Sequence, residues 1–139
     1  MKKVVFLDTV HSILSEKLTK VGFKCVDASL LSKESCLKEI TDSIGIVIRS
    51  RFKIDEDFLK EASDIEFIAR SGSGMENIDL NYCNANNIAV FTSPEGNRNA
   101  VGEHCLGFLL NLMNNISKGN REVKSGIWDR EGNRGEELS

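Results

Sequence analysis

The stretch Ile44-Gly45-Ile46-Val47-Ile48-Arg49-Ser50 decides how the rest of the chain is interpreted. Its first five residues are nearly all β-branched and apolar, which is typical of a parallel strand buried on both faces. Arg49 and Ser50 follow at once, so this strand ends in a polar, charged loop. We therefore predict a central buried strand with candidate ligand-binding side chains at its carboxyl end.

The segments around this strand alternate between strand-like and helix-like patterns. Further strands are predicted at Val4–Asp8, Lys24–Asp27, Glu66–Ala69 and Ile88–Phe91, and helices at Ser12–Val21, Ser32–Thr41, Asp55–Ser63 and Asp79–Asn86. In the first helix, Leu14, Leu18 and Val21 share one face. Strands that alternate with helices form parallel βαβ units. The sequence thus predicts an α/β fold, a flavodoxin-like doubly wound parallel sheet of about five strands.

Length and composition exclude several classes of protein. The chain has 139 residues, which is the size of one domain. Apolar residues make up 40% and charged residues 28%, as in ordinary globular proteins. The net charge of −3 argues against a nucleic-acid partner, which usually meets a basic excess. No apolar run reaches the roughly 18 residues of a membrane span, so no membrane partner is expected.

The four cysteines indicate the cellular compartment of the protein. Cys25, Cys36, Cys83 and Cys105 lie in or beside apolar segments and lack metal-ligand spacing. Buried thiols are expected, with a disulfide or a reactive thiol as the alternative. Because no export signal opens the chain, we expect a cytoplasmic protein with reduced thiols.

Three polar segments follow predicted strands: Arg49–Lys53, Arg70–Gly74 and Thr92–Asn97. Ligands of doubly wound sheets bind beyond the carboxyl ends of the strands. Arg49 there can hold a carboxylate or phosphate through two parallel hydrogen bonds, although a surface charge is the plainer alternative. The same predicted edge carries further cations, which favours an anionic ligand; they are Arg51, Lys53, Arg70 and Arg98.

The segment Gly72–Asn77 nearly matches the dinucleotide pattern G-x-G-x-x-G, but Asn77 replaces the third glycine. We favour a tight turn that offers N–H groups to a carboxylate or phosphate over a nucleotide site or a plain turn. His11 and His104 have no evident catalytic partner in the sequence, and no metal-spaced set is present. A receiver domain shares this architecture but needs a phospho-accepting aspartate at the end of the third strand. Because Arg49 and Ser50 follow that strand here, the sequence does not favour a receiver domain.

At these loops the chain resembles the D-2-hydroxyacid dehydrogenase family. Gly45–Ser50 with Lys53 is similar to a G-hydrophobic-R-S-x-x-K segment, and Ala69–Asp79 to the signature G-R-A-G-x-G-x-D-N-[IV]-D. Thr92–Asn97 followed by Glu103 is similar to N-T-P-x-G-N-S-x-S-A-A-E, and Lys124–Trp128 to a later G-x-W segment. The order and spacing match over essentially the whole chain. The departures are Arg51, Ala69, Glu76 and Arg98, which leave the substrate open.

The resemblance implies a substrate-binding domain at residues 1–98, an inter-domain helix at 99–117, and a linker at 118–139 that leads to a nucleotide-binding domain outside the chain. It implies substrate contacts from Arg49, Ser50, Arg70, Ser71, Gly72, Gly74 and Asn97, and a cofactor contact from Ser73. The family's catalytic arginine, glutamate and histidine lie beyond Ser139, so no catalytic residue is assigned here.

The helix predicted from Asn99 to about Ser117 carries more apolar surface than one sheet can cover. One stripe comprises Val101, Cys105, Phe108, Leu112 and Ile116, and a second comprises Leu106, Leu109, Leu110 and Met113. A helix of this kind is expected to be buried on several faces, with close packing at Gly102 and Gly107. The resemblance implies that Val101–Ile116 contacts the nucleotide-binding domain and a second copy, as a homodimer.

The function implied is hydride transfer between NAD and a small anionic 2-hydroxy or 2-oxo acid, phosphorylated or dicarboxylic. We expect the 139-residue chain alone to be inactive. The alternative is a stand-alone, flavodoxin-like anion-binding or dimerisation module without catalysis.

Overall fold

The computed structural model describes residues 1–138, which fall into two compact units that divide after Gly96. The first unit contains nine elements: β1 (Lys3–Phe6), α1 (Ile13–Lys20), β2 (Lys24–Asp27), α2 (Lys33–Ile40), β3 (Gly45–Ile48), α3 (Glu56–Leu59), β4 (Phe67–Arg70), α4 (Leu80–Ala85) and β5 (Ala89–Phe91). Two helices follow, α5 (Glu95–Met113) and α6 (Ile116–Lys124). The strands form one sheet in the order β2-β1-β3-β4-β5, and all the pairings are parallel. The predicted α/β class and five-strand sheet are confirmed.

Apolar residues on both faces of the central strands form the core. All four residues of β3 are buried, as the β-branched run predicts. On one face Ile46, Ile48 and Ile68 pack with buried residues of α2, α3 and α4. On the other face Val4, Phe6 and Val47 pack against partly buried residues of α1, Leu14 and Leu18. The helices therefore cover both faces of the sheet. Because all strands are parallel, the loops after β1, β3 and β4 lie along its carboxyl edge.

The side chains that begin two of the short helices are those expected from the sequence. Asp55 accepts a hydrogen bond from the N–H of Phe58 at 3.1 Å, and Asp79 accepts one from the N–H of Tyr82 at 3.0 Å. Such caps satisfy N–H groups that have no partner inside the helix. The starts of α3 and α4 are thus set by local sequence.

The third helix and the inner face of the first helix differ from the prediction. The third helix ends at Leu59 rather than Ser63, because Ala62 donates its N–H to the Leu59 carbonyl in a tight turn. That turn allows both Ala62 and Ile65 to reach the core. Val21, expected on the inner face of α1, is 72% exposed because it caps the helix just before the chain turns.

The helix predicted at 99–117 has different bounds. It begins at Glu95 and ends at Met113, and a second helix, α6, occupies part of the predicted linker. Asn115 adopts the left-handed conformation with φ 52°, which asparagine tolerates better than most residues. The side chain of Asn111 then accepts hydrogen bonds from the N–H and hydroxyl of Ser117, both at 2.8 Å. These contacts end one helix and begin the next.

None of the α5 side chains is buried in the part of the chain that the structure describes. Phe108 is 59% exposed and Leu112 is 73% exposed. A Cβ at Gly102 or Gly107 would meet no atom within 4 Å. The chain by itself therefore supplies neither burial of these apolar stripes nor close packing at the two glycines, and their burial against a second domain or a second copy stays a prediction. Among residues 1–138, none of the helices has the length and apolar character that crossing a bilayer requires.

All four cysteines are free, and their surroundings differ. Cys36 and Cys83 are buried as expected, and burial raises the pKa of both thiols, which lowers the thiolate fraction at neutral pH. Cys25 is half-buried. Cys105 is exposed, contrary to expectation, because it lies on α5.

Candidate functional site

The loops after β3 and β4 meet at the carboxyl edge of the sheet. The N–H of Ser71 donates to the Ile48 carbonyl at 2.8 Å, and Nε of Arg70 donates to the Arg49 carbonyl at 3.1 Å. The loop after β5 joins them, because the N–H of Ser93 donates to the Gly72 carbonyl at 2.9 Å. The topology thus brings the polar segments after these three strands together. We call residues 49–53 and 70–74 the β3–β4 edge.

A second set of hydrogen bonds joins the segment after β3 to the segment after β4. The Ile54 N–H donates to the Asn77 carbonyl at 2.7 Å, and the Asp79 N–H donates to the Ile54 carbonyl at 2.9 Å. Nδ2 of Asn77 donates to the Phe52 carbonyl at 3.0 Å. Glycine, the residue of the dinucleotide pattern, could not make this side-chain bond. Asn77 therefore ties the two loops together, which argues against the nucleotide interpretation of Gly72–Asn77.

Asp8, two residues beyond the end of β1, is a residue of this edge that sequence reasoning missed. Its Oδ2 accepts hydrogen bonds from three consecutive backbone N–H groups, those of Arg49 at 2.8 Å, Ser50 at 3.0 Å and Arg51 at 3.1 Å. Three such donors form an anion-binding turn that is already filled by a carboxylate of the chain. The available signal was the aspartate that ends the first predicted strand, but its significance depends on the pairing of that strand with β3.

The three arginines at this edge do different things. The guanidinium of Arg51 donates to the carbonyls of Leu7 at 3.1 Å, Ala28 at 3.2 Å and Leu31, and it lies 4.6 Å from the ring centre of Phe52. It holds three chain segments together. The expectation that Arg51 adds a cation for a ligand is therefore corrected, because its N–H groups are directed at the backbone.

The Arg70 guanidinium makes a hydrogen bond within the described part of the chain, whereas the Arg49 guanidinium does not. Besides its bond to the Arg49 carbonyl, the Arg70 guanidinium lies over Gly72. The Arg49 guanidinium has no hydrogen-bond or ion-pair partner within residues 1–138, and the residue is exposed. Lys53 is exposed as well, with its Nζ 3.9 Å from Oδ2 of Asp55. Arg49 is thus the arginine of the edge whose whole donor set can meet an anion.

The turn at Gly72–Gly74 offers two further donors. The N–H of Gly72 donates to the Arg70 carbonyl at 2.9 Å, whereas those of Ser73 and Gly74 meet no acceptor in the described part of the chain. The Glu76 carboxylate lies against Gly74. Two free amides suit one carboxylate or phosphate oxygen, and the neighbouring negative charge opposes a pyrophosphate.

Gly72 is required by its backbone conformation. Its φ of +154° is one that L side chains rarely adopt, and a Cβ would run into the Arg70 guanidinium. We expect Gly72→Ala to lower the free energy of unfolding by about 1–3 kcal/mol, measured by urea denaturation. The matched control is Gly102→Ala, where the Cβ meets open space and helix propensity improves by about 1 kcal/mol. Equal stability of the two variants would contradict this account of the turn.

The remaining candidate residues are described by their own surroundings. Asn97 is exposed in the first turn of α5, in the second unit. Nδ1 of His11 accepts the N–H of Ile13 at 3.2 Å, and the His104 ring packs edge-on against Phe108 with centres 4.6 Å apart. Both histidines thus make structural contacts. Among residues 1–138 no cluster of His, Cys, Asp and Glu is arranged to hold a metal ion.

Comparisons with known proteins find relatives that match nearly the whole chain. The D-3-phosphoglycerate dehydrogenase of Sus scrofa is 30% identical over 139 residues, which cover 100% of this chain and 26% of that protein. The enzyme of that name from Methanocaldococcus jannaschii is 33% identical over 138 residues, 99% of this chain and 26% of the relative. The chain thus spans about a quarter of the length of these relatives.

A solved structure and a family model extend the comparison. The NAD+-bound 3-phosphoglycerate dehydrogenase of Entamoeba histolytica matches with a TM-score of 0.67 and 32% identity, covering 81% of this chain and 39% of that one. The model for the catalytic domain of D-isomer specific 2-hydroxyacid dehydrogenases matches residues 4–128. By sequence and by fold, the chain belongs to the D-isomer specific 2-hydroxyacid dehydrogenase family.

Proposed function

We propose that this chain is the substrate-binding part of an NAD-dependent D-2-hydroxyacid dehydrogenase. The observation that carries the proposal is the free Arg49 guanidinium at the same sheet edge as the free amides of Ser73 and Gly74. This combination binds a carboxylate or phosphate through charge-assisted hydrogen bonds. The proposed domain is residues 1–98, followed by the inter-domain helix of 99–117 and the linker of 118–139.

The chain's own residues bind and orient the acid. Arg49 holds one anionic group, and the amides of the Gly72–Gly74 turn hold another oxygen. Further proposed contacts come from Ser50, Arg70, Ser71 and Asn97. Fixing the acid in one orientation can supply several kcal/mol of the barrier reduction without proton transfer. We assign no catalytic residue within this chain.

When bound, NAD would supply the hydride-accepting group of the reaction. The described residues do not fit its pyrophosphate, since Asn77 replaces the third glycine and the Glu76 carboxylate lies against Gly74. We propose that a nucleotide-binding domain outside this chain holds NAD, with a single contact here from Ser73.

The substrate best supported is 3-phosphoglycerate. Both relatives at 30% and 33% identity carry the name of the enzyme that acts on this acid. The cations at the β3–β4 edge suit an acid with two anionic groups. A dicarboxylic hydroxy acid is the nearest alternative.

Calorimetry tests this function. We expect the 139-residue chain to bind 3-phosphoglycerate weakly, to bind NADH hardly at all, and to show no NAD-dependent turnover. A longer chain that includes a nucleotide-binding domain should oxidise the acid. Turnover by the 139-residue chain would contradict the assignment, and tight, selective binding of an unrelated ligand would favour a stand-alone binding module instead.

We further propose that α5 mediates a homodimer. Its exposed apolar side chains include Phe108 and Leu112. Light scattering after size-exclusion chromatography should give twice the chain mass of 15.4 kDa. Leu112→Glu should yield monomers, because a buried charge costs several kcal/mol, whereas the matched control Asn99→Glu should stay dimeric. Covering α5 should also slow the labelling of Cys105. A wild-type monomer would contradict the dimer.

A cytoplasmic location is also proposed. All four cysteines are free in the described structure, as expected where thiols are kept reduced.

A further inference from the structure

We propose that Asp8 is the positioning residue of the β3–β4 edge, acting as an internal anion that sets the conformation of the Arg49–Arg51 turn. The inference rests on the proposed function, because it concerns how the substrate-binding arginine is held. Asp8 is not among the residues that sequence reasoning assigned to the site. It touches no substrate in this proposal and acts through the backbone of its neighbours.

The geometry is unusual for a surface carboxylate. One oxygen, Oδ2, lies 2.8–3.1 Å from the nitrogens of three consecutive residues, Arg49, Ser50 and Arg51. Consecutive N–H groups converge on one point only when the backbone curls around it. Each bond is charge-assisted because its acceptor is a carboxylate. Losing that carboxylate leaves three N–H groups without their acceptor.

The contact of Asp8 with the turn also determines which groups can bind a substrate anion. The backbone amides of Arg49, Ser50 and Arg51 are occupied by Asp8, so they are not available to a substrate anion, which the Arg49 side chain and the amides of Ser73 and Gly74 can still reach. Arg51 reinforces the arrangement, because its guanidinium binds the Leu7 carbonyl next to Asp8. Asp8 and Arg51 therefore both hold the backbone from which the Arg49 side chain extends.

The surroundings of Asp8 provide a specific way to test the idea. Asp8 lines an open cavity of about 410 Å³, together with Thr9, Ser12 and Ser15. A formate ion is small enough to enter from this cavity and to replace the carboxylate that Asp8→Ala removes. Asp27 supplies a matched control, since it lines the same cavity and accepts one N–H, that of Ser29, at 2.9 Å.

Amide hydrogen exchange of residues 49–51 in the 139-residue chain is the primary measurement. We expect Asp8→Ala to speed exchange at all three amides by about tenfold or more. Added formate should restore slow exchange saturably. Asp27→Ala should leave these amides as in the wild type, and formate should not change the wild type. Unchanged exchange in Asp8→Ala, or no effect of formate on it, overturns the inference.

Ligand binding separates this inference from the proposed function. Asp8→Asn keeps an acceptor oxygen but loses the charge, and we expect it to weaken the binding of 3-phosphoglycerate by about tenfold, while Asp27→Asn does not. In the holoenzyme the loss should fall on KM more than on kcat. If the wild type binds no hydroxy acid, the proposed function alone fails. The exchange data then still show whether Asp8 sets the conformation of the Arg49–Arg51 turn. If Asp8→Asn binds the acid as the wild type does, the positioning role is overturned.

Discussion

Replacing Arg49 with alanine is expected to weaken the binding of the hydroxy acid by about 100-fold. A bidentate, charge-assisted pair contributes about 3 kcal/mol, which corresponds to that factor. Arg49 is the arginine of the edge whose guanidinium makes no bond within residues 1–138. The variant should therefore lose ligand affinity without losing stability. Calorimetry with 3-phosphoglycerate gives the first quantity, and urea denaturation gives the second.

The controls separate geometry from charge. Arg49→Lys keeps the charge but loses the paired donors, so an intermediate loss of about tenfold is expected. Lys24→Ala removes one positive charge at the opposite, amino-terminal edge of the sheet, and it should leave the affinity within about twofold. If Arg49→Ala binds the acid as tightly as Lys24→Ala, Arg49 is not the anion-binding residue.

Replacing Phe58 with alanine is expected to destabilise the fold strongly, because it removes one of the largest side chains of the core. Phe58 is 2% exposed, and its ring packs on Phe52 with centres 6.1 Å apart. Truncating a buried phenylalanine costs about 3–5 kcal/mol. Domains of this size are stable by about 5–15 kcal/mol, so the midpoint of urea denaturation should fall steeply.

Phe91→Ala is the matched control, because it makes the same chemical change at an exposed site. Phe91 lies on the edge strand β5 and is 58% exposed, with one edge-on contact to Phe67. Its loss should cost about 1 kcal/mol or less. Similar destabilisation by the two substitutions would mean that the core is not centred on the face that Phe58 covers.

Much of the fold could be predicted because its signals are local. The buried strand at Ile44–Ile48 and the capping residues Asp55 and Asp79 each depend on a few neighbouring residues. The errors arose where distant contacts compete with local pattern. The third helix stops early so that Ala62 and Ile65 reach the core, and the long apolar helix breaks where Asn111 caps the following one.

The candidate site was predicted as a set of loops but not as a set of contacts. The rule that parallel strands end at one edge placed Arg49 and the Gly72–Gly74 turn together. Residue type alone could not distinguish Arg49 from Arg51, since both are cations in one loop. Whether Asn97 contacts the acid and Ser73 the cofactor stays a prediction.

By itself, the sequence determined the α/β class, the order of strands and helices, and which loops end at the carboxyl edge, because hydrophobic periodicity and turn chemistry act over a few residues. Only the tertiary structure decided what each charged side chain does there. The pairing of β1 with β3 places Asp8 beneath the Arg49–Arg51 turn and directs Arg51 toward backbone carbonyls. The Arg49 side chain is left without a partner because hydrogen bonds depend on distances in the folded sheet, where Asp8 and Arg49 meet although about 40 residues separate them in the chain.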